Sequence, residues 1–320
     1  MIKKALITGI TGQDGAFLAK FLLENGYKVY GTSRDSYQSN YRNLKILDIH
    51  TQIEYRSMAI NDFRSVLKVI KEIHPTEIYN LAGQSSVGLS FEQPVETFES
   101  IAIGTLNILE SIKLVDENIK FYNAGSGECF GHTYHPVIEE DKFKPNSPYA
   151  VAKSTAYWEV KNYREAYGLY CCTGLLFNHE SHLRGNRFVT KKIINTVCDI
   201  YKGNTKNIIL GNIDISRDWG WAPEYVEAMH MMLQKKDADD FIIASGEVRS
   251  LENFLDLAFS YFDLDYREHL VIDKALFRPS DILISQANPI KANAILGWKA
   301  RYRLENIVEE MIKHELDNLK

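Results

Sequence analysis

The seven residues Gly9-Ile10-Thr11-Gly12-Gln13-Asp14-Gly15 limit what this chain can fold into more than any other segment. Before them, Lys4-Ala5-Leu6-Ile7-Thr8 reads as a buried strand; after them runs an apolar helix that ends near Asn25-Gly26. A strand that passes through a glycine turn into a helix is the opening unit of an α/β sheet. Gly9 permits the tight turn, Gly12 lets backbone N–H groups approach a pyrophosphate, and Gly15 lets the helix pack closely. The spacing is GxxGxxG rather than the commoner GxGxxG, so the strand and helix around the glycines carry the inference.

The alternation continues down the chain. Strand-like runs at 4–8, 28–32, 52–56, 77–82, 119–124 and 171–177 alternate with helical runs at 13–25, 61–73, 99–115 and 148–167. That is the pattern of a parallel sheet covered on both faces. Beyond Asn178 it loosens into helices near 188–202, 222–235, 250–262 and 303–318, with short strands near 207–210, 241–244 and 270–272. The fold class predicted is α/β: a doubly wound parallel Rossmann sheet over 1–177 and a smaller α/β substrate domain over 178–320.

A length of 320 residues with 45% hydrophobic content suffices for a core of that size. No run approaches the roughly 18 apolar residues of a membrane span, and no charged-then-apolar leader is present, which predicts a cytoplasmic protein without a membrane partner. A net charge of −5 without a basic stripe argues against nucleic acid. Cys129, Cys171, Cys172 and Cys198 show no metal spacing, and His179-Glu180-Ser181-His182 is one residue short of HExxH, so no metal is expected.

Chemistry enters with Ser126-Gly127-Glu128 and, about twenty residues on, Ser147-Pro148-Tyr149-Ala150-Val151-Ala152-Lys153. Ser147 can cap a helix whose first residue is Pro148, which puts Tyr149 and Lys153 at i and i+4 on one face. A neighbouring ammonium is expected to draw the phenol pKa from about 10 toward neutral, suiting a base that takes a hydroxyl proton. After the second strand come Ser33-Arg34-Asp35-Ser36, where this fold reads the adenosine ribose. Arg34 with a serine suits the 2′-phosphate of NADP; an acid near this place suits NAD. The balance points to NADP, with NAD as the alternative and Asp35 as a cap of the following segment.

On these residues the chain resembles the extended short-chain dehydrogenase/reductases and, within them, the GDP-mannose 4,6-dehydratases. The resemblance spans nearly the whole chain. Besides the motifs above, it rests on Asn80-Leu81-Ala82-Gly83-Gln84-Ser85, Asn162 to Gly168, Phe177-Asn178-His179-Glu180-Ser181, Phe188-Val189-Thr190-Lys191-Lys192, Arg217-Asp218-Trp219-Gly220 and Phe277-Arg278-Pro279-Ser280-Asp281. It implies cofactor contacts from Gly9, Thr11, Gly12, Gln13, Asp14, Gly15, Arg34, Leu81, Ala82, Tyr149 and Lys153. Asn178, Lys192, Arg217 and Arg278 are implied to hold a nucleotide diphosphate, with Arg184 reaching it from another subunit; Gln84, Ser85 and Glu180 are implied sugar contacts. It further implies a return of the chain to the first domain around 212–245, a homo-oligomer (dimer or tetramer) and a four-helix interface built on 99–115 and 148–167. The chain departs from the family pattern at Gly127, at Arg34-Asp35 in place of paired arginines, at Gly83, at Leu183-Arg184-Gly185-Asn186 and at Ser57.

The implied reaction is a dehydration of a GDP-sugar. Tyr149 takes the C4 hydroxyl proton as hydride leaves C4, Ser126 hydrogen-bonds the C4 oxygen, and Lys153 binds the nicotinamide ribose. Glu128 removes the C5 proton and assists loss of the C6 hydroxyl. A GDP-sugar C4 oxidoreductase or epimerase, including one acting on a GDP-heptose, has no need of that carboxylate and is the alternative. A noncatalytic nucleotide sensor of the same fold is the third reading.

Overall fold

The computed structural model of the chain describes residues 2–317. Its first half alternates β1 (Lys4–Thr8), α1 (Gln13–Glu24), β2 (Lys28–Ser33), α2 (Arg42–Ile46), β3 (Glu54–Ser57), α3 (Phe63–Ile73) and β4 (Glu77–Asn80). There follow α4 (Val87–Glu92), α5 (Pro94–Phe98), α6 (Gly104–Val115), β5 (Lys120–Ala124), α7 (Pro148–Tyr167) and β6 (Cys171–Leu176). A π-helical turn, Glu99–Ile103, joins α5 to α6. The second half adds β7 (Asn178–Glu180), α8 (Val189–Tyr201), β8 (Ile208–Leu210), β9 (Ser216–Trp221), α9 (Ala222–Leu233) and β10 (Phe241–Ile243). It ends with β11 (Val248–Ser250), α10 (Leu251–Ser260), β12 (Leu270–Ile272), β13 (Ile284–Ser285) and α11 (Leu304–Asp317).

Seven strands form one sheet in the order β10-β6-β5-β4-β1-β2-β3, parallel at every pairing. The doubly wound Rossmann sheet expected from the alternation is the one found. Its central strands are buried on both faces, as β4 and β6 are along their whole length, so neither alternates exposed with buried residues, and β4 takes Glu77 and Asn80 into the interior. The strand order reverses between β1 and β4, and a crevice opens there at the carboxyl ends of the strands. Helix α7 starts where its first residues predict: the Ala150 N–H donates to the Ser147 hydroxyl at 3.1 Å, and Pro148 occupies the first turn.

The second half builds a smaller lobe. A four-stranded sheet has the path β11-β9-β13 with β7 on β9; β8 and β12 pair separately. Its core is Ile193, Ile194 and Val197 of α8 against Phe254, Leu255 and Phe259 of α10 and Ile307, Val308 and Met311 of α11. The chain leaves this lobe after Trp221: α9 packs Met229 and Met232 into the core shared with α1, and β10 joins β6 as the sheet's outer strand.

The short strands β7, β9, β11 and β13 were not expected. In β9 the run Ser-Arg-Asp-Trp-Gly-Trp hides its strand character, because Arg217 and Asp218 are themselves buried and no alternation of apolar and polar residues survives. The predicted helix end at residue 318 lies outside the described residues.

Candidate active site

The glycine turn forms the floor of a cavity of about 1360 Å³ at the switch point. Gly9 has φ +69°, and a Cβ built on it would stand 2.7 Å from the Leu81 carbonyl oxygen, so only glycine lets the loop after β4 close over the turn. That loop is pinned from below, since the Thr8 hydroxyl accepts the N–H groups of Leu81 and Ala82, both at 3.2 Å. Gly12 caps α1 without a side-chain hydrogen bond, leaving the first N–H groups of the helix turned toward the cavity. Thr11, Gln13, Asp14 and Gly15 line it, with Arg34, Leu81 and Ala82. A turn with no room for a Cβ at Gly9 or Gly15, facing an uncapped helix start, fits the diphosphate of a dinucleotide.

At the far end Arg34 is exposed and pairs loosely with Glu96 at 3.6 Å. Asp35 spends its carboxylate on the N–H groups of Tyr37 (2.9 Å) and Gln38 (3.2 Å). The cap reading of Asp35 is the geometry present. Ser57 accepts the N–H of Ser36 at 2.9 Å.

A second cavity, of about 420 Å³, adjoins the first and shares Asp14, Leu81, Ala82 and Arg184 with it. Ser126, Glu128, Tyr149 and Lys153 all line it. β5 delivers Ser126, whose hydroxyl accepts the Glu128 N–H at 3.2 Å and holds the short 3₁₀ turn that carries Glu128. Burial raises the Glu128 carboxyl, and the nearby Arg217 and Arg278 partly offset it. The same burial brings the Lys153 ammonium down to about 8.

Tyr149 departs from expectation. Its phenol is pushed above the usual tyrosine value by burial, and the groups that oppose this are the Ser126 hydroxyl and, less strongly, Arg184, not Lys153. The reason is geometric: the Lys153 ammonium donates to the Ala124 carbonyl at 2.7 Å and sits 5.8 Å from the centre of the Tyr149 ring. Desolvation of the phenol outweighs a cation at that distance.

The opposite wall is cationic. Arg217 is almost fully buried and meets Asp281 at 3.4 Å; Arg278 meets the same Asp281 oxygen at 3.5 Å. Lys192 and Asn178 complete this wall. The proposed sugar contacts are arranged differently. Gln84 lines both cavities but gives its amide to the Ser86 carbonyl (2.8 Å) and the Thr97 hydroxyl (3.3 Å), while Ser85 lines both beside it. Glu180 is 1% exposed, accepts the Thr190 hydroxyl at 2.7 Å and pairs with Arg184 at 3.1 Å.

The sequence profile of a family described as GDP-mannose 4,6 dehydratase matches residues 6–311. The chain belongs to that family. GDP-mannose 4,6 dehydratase 1 of Arabidopsis thaliana is 43% identical over 330 aligned positions, covering 99% of this chain and 91% of that protein. Among solved structures, the dTDP-glucose 4,6-dehydratase of Bacillus anthracis in complex with NAD superposes with a TM-score of 0.85 at 20% identity, covering 99% and 97% of the two chains. RMD from Pseudomonas aeruginosa complexed with NADPH gives 0.83 at 19%, covering 99% of each. At these identities the two structures speak to the fold.

Within this GDP-mannose 4,6-dehydratase chain the structure adds Arg42 and Arg187, which the sequence did not single out, and shows what Arg184 and Phe177 pack against. Arg42, the first residue of α2, lines the larger cavity, as Arg34 does, and makes no ion pair with a described residue. Arg187 lines both cavities, as does Arg184, whose guanidinium lies 3.7 Å over the Phe188 ring. Phe177 fills the place beside Gly127 where a side chain would stand: its ring is 2.9 Å from a Cβ built there. The only sequence signal for Arg42 was an arginine in the loop after β2, the segment that borders the ribose in this fold.

Proposed function

We propose that the chain is an NADP-dependent lyase that converts GDP-mannose to its GDP-4-keto-6-deoxy product. The observation that carries this reading is Glu128, a desolvated carboxyl on the wall of the cavity that also holds Ser126, Tyr149 and Lys153. C4 oxidation alone needs no such group; elimination across C5 and C6 does.

When bound in the larger cavity, the nicotinamide dinucleotide supplies reversible hydride transfer to and from the sugar. Tyr149, whose buried phenol must first ionise with the help of the Ser126 hydroxyl that opposes its raised pKa, takes the C4 hydroxyl proton as phenolate, and Ser126 steadies the C4 oxygen through its hydroxyl. The resulting 4-ketone acidifies the C5 hydrogen, which Glu128 removes. Its raised pKa suits both tasks, because a carboxyl nearer neutrality passes the proton on to the departing C6 hydroxyl more readily; return of the hydride to C6 and of a proton to C5 of the resulting alkene then completes the 4-keto-6-deoxy sugar. Lys153 keeps a positive charge beneath the phenol and reaches the ribose. Arg217, Arg278, Lys192 and Asn178 bind the diphosphate of the GDP, displacing Asp281 from the two guanidiniums.

The commitment of Asp35 to its own turn, with Arg34 and Arg42 both on the lining of the larger cavity, supports NADP over NAD. We read 1–177, with the return of the chain around 212–245, as the cofactor-binding unit and most of 178–320 as the nucleotide-sugar-binding unit, with residues of both halves lining each cavity. Exposed Val151 and Trp158 on α7, with Phe98 and Ile103 near α5, support a homo-oligomer closed over this helix face. Four buried thiols support a reducing, cytoplasmic setting.

The test is incubation of the pure protein and NADP with GDP-mannose, and separately with a GDP-heptose, followed by mass spectrometry. Loss of one water from GDP-mannose is expected. A C4 ketone or epimer without water loss establishes the oxidoreductase reading instead.

A further inference from the structure

β7 is a three-residue strand with two faces. Asn178, His179 and Glu180 all contribute to the lining of the smaller cavity, and the His179 side chain reaches the start of α1. His179 Nε2 lies 2.9 Å from an Asp14 carboxylate oxygen, and its Nδ1 lies 2.7 Å from the Phe177 carbonyl oxygen. A carbonyl only accepts, so Nδ1 carries a proton; an ionised carboxylate only accepts, so Nε2 carries one too. The stacked Tyr225 ring, 4.5 Å away with planes 27° apart, covers the imidazole. That ring lies where a side chain of residue 220 would project: a Cβ on Gly220 would be 2.3 Å from the Tyr225 hydroxyl. Gln13 and Ser181 tie the same two segments together, since the Ser181 hydroxyl donates to the Gln13 amide oxygen at 2.7 Å and the Gln13 amide donates to the His179 carbonyl at 3.3 Å.

We propose that His179 is an imidazolium whose ion pair with Asp14 latches the cofactor-binding turn to the sugar-binding strand, making it a positioning residue that couples the two sites. The Asp14 end of the pair lies on the lining of both cavities, so a ligand that orders α1 orders β7. Electrostatics agree. Burial opposes charge on both groups, yet mutual attraction wins: the His179 pKa is raised and the Asp14 pKa lowered. The other groups facing the pair are Arg184 from the loop after β7, Lys153 from α7, Tyr122 from β5 and Tyr225 from α9. The contribution to folding is present above the ordinary aspartate value and below the ordinary histidine value. It is lost as pH falls through the lowered Asp14 pKa or rises through the raised His179 pKa.

The inference rests on the assignment of the two cavities above, and the experiment has one arm independent of it. Protein carrying ¹⁵N-histidine is titrated by NMR in its ligand-free form, with His179→Gln identifying the signal. Both ring nitrogens of His179 are expected to stay protonated above the ordinary value of about 6.5. A ring that titrates at or below that value overturns the latch. In the second arm, the Kd for NADP is measured with and without saturating GDP. Wild type is expected to bind NADP at least about fivefold tighter with GDP present, and His179→Gln and Asp14→Asn to lose that difference while still binding GDP. No difference in wild type, or an unchanged difference in both variants, overturns the coupling. If wild type binds neither ligand, the functional reading falls and the coupling with it, while the titration still decides the protonation state.

Discussion

Lys153 reaches past Tyr149 rather than to it: its ammonium hydrogen-bonds the Ala124 carbonyl at 2.7 Å, 5.8 Å from the centre of the tyrosine ring. The i, i+4 spacing puts both groups on one face, but burial decides their protonation. It drives each toward its neutral form, lifting the phenol and bringing the ammonium to about 8.

Turnover should therefore fall as pH rises through about 8, where Lys153 loses its charge. Lys153→Met should retain a small residual rate that shows no such alkaline limb. The pH profile of kcat/KM for both proteins checks this. A limb near 8 that persists in the variant assigns it to another group.

Tyr149→Phe removes one oxygen and keeps the buried ring, so folding should survive. The variant should bind GDP-sugar and NADP and yet show neither absorbance of reduced nicotinamide nor water loss. Near-normal reduction would make Tyr149 an ordinary helix tyrosine.

Cofactor selection should be shared by two arginines. Arg34→Ala and Arg42→Ala should each weaken NADP about tenfold and leave NAD nearly unchanged, with the double variant losing the preference altogether. Paired dissociation constants decide it. Tighter binding of NAD than NADP by wild type would assign the site to NAD.

Gly9 and the 148–167 helix show what was legible in the sequence and why. A left-handed turn under a crowded loop leaves only glycine, and a Ser-Pro start announces a helix, so both are written locally. The family-bearing stretches Asn178–Ser181 and Arg217–Gly220 pointed to the right branch. Their structure stayed hidden because they form short strands whose charged residues are buried by tertiary partners such as Asp14, Asp281 and Arg184. The fate of the Tyr149 pKa was unreadable for the same reason: it depends on the depth of burial, which spacing does not encode. Arg42 lies eight positions beyond Arg34, and only the path of the loop brings both to the lining of one cavity.

Gly9→Ala should destabilise the protein by at least about 1 kcal/mol, since the φ of +69° is strained for alanine and the new methyl meets the Leu81 backbone. Its NADP affinity should fall further than its stability requires, because the loop carrying Leu81 and Ala82 must move away. Thermal unfolding with and without NADP measures both effects; an equal ligand-induced shift in wild type and variant would remove the loop from the cofactor site.

Glu128→Gln separates dehydration from oxidation. The substitution preserves size and leaves Tyr149, Ser126 and Lys153 in place, so proton removal from the C4 hydroxyl should proceed. Glutamine cannot accept the C5 proton, and elimination should slow by roughly 10²–10⁴. In wild type reduced cofactor is consumed as soon as the elimination product forms; in the variant it should accumulate. Single-turnover absorbance of the reduced nicotinamide reads that accumulation directly, and mass spectrometry of the same sample reads the missing water loss. Because burial raises the Glu128 carboxyl, elimination in wild type should also fall as pH drops through a value above the ordinary glutamate one, and that acid limb should vanish from the residual rate of the variant. Formation of the 4-keto-6-deoxy product at an unchanged rate would take Glu128 out of the mechanism and leave the C5 proton to another base.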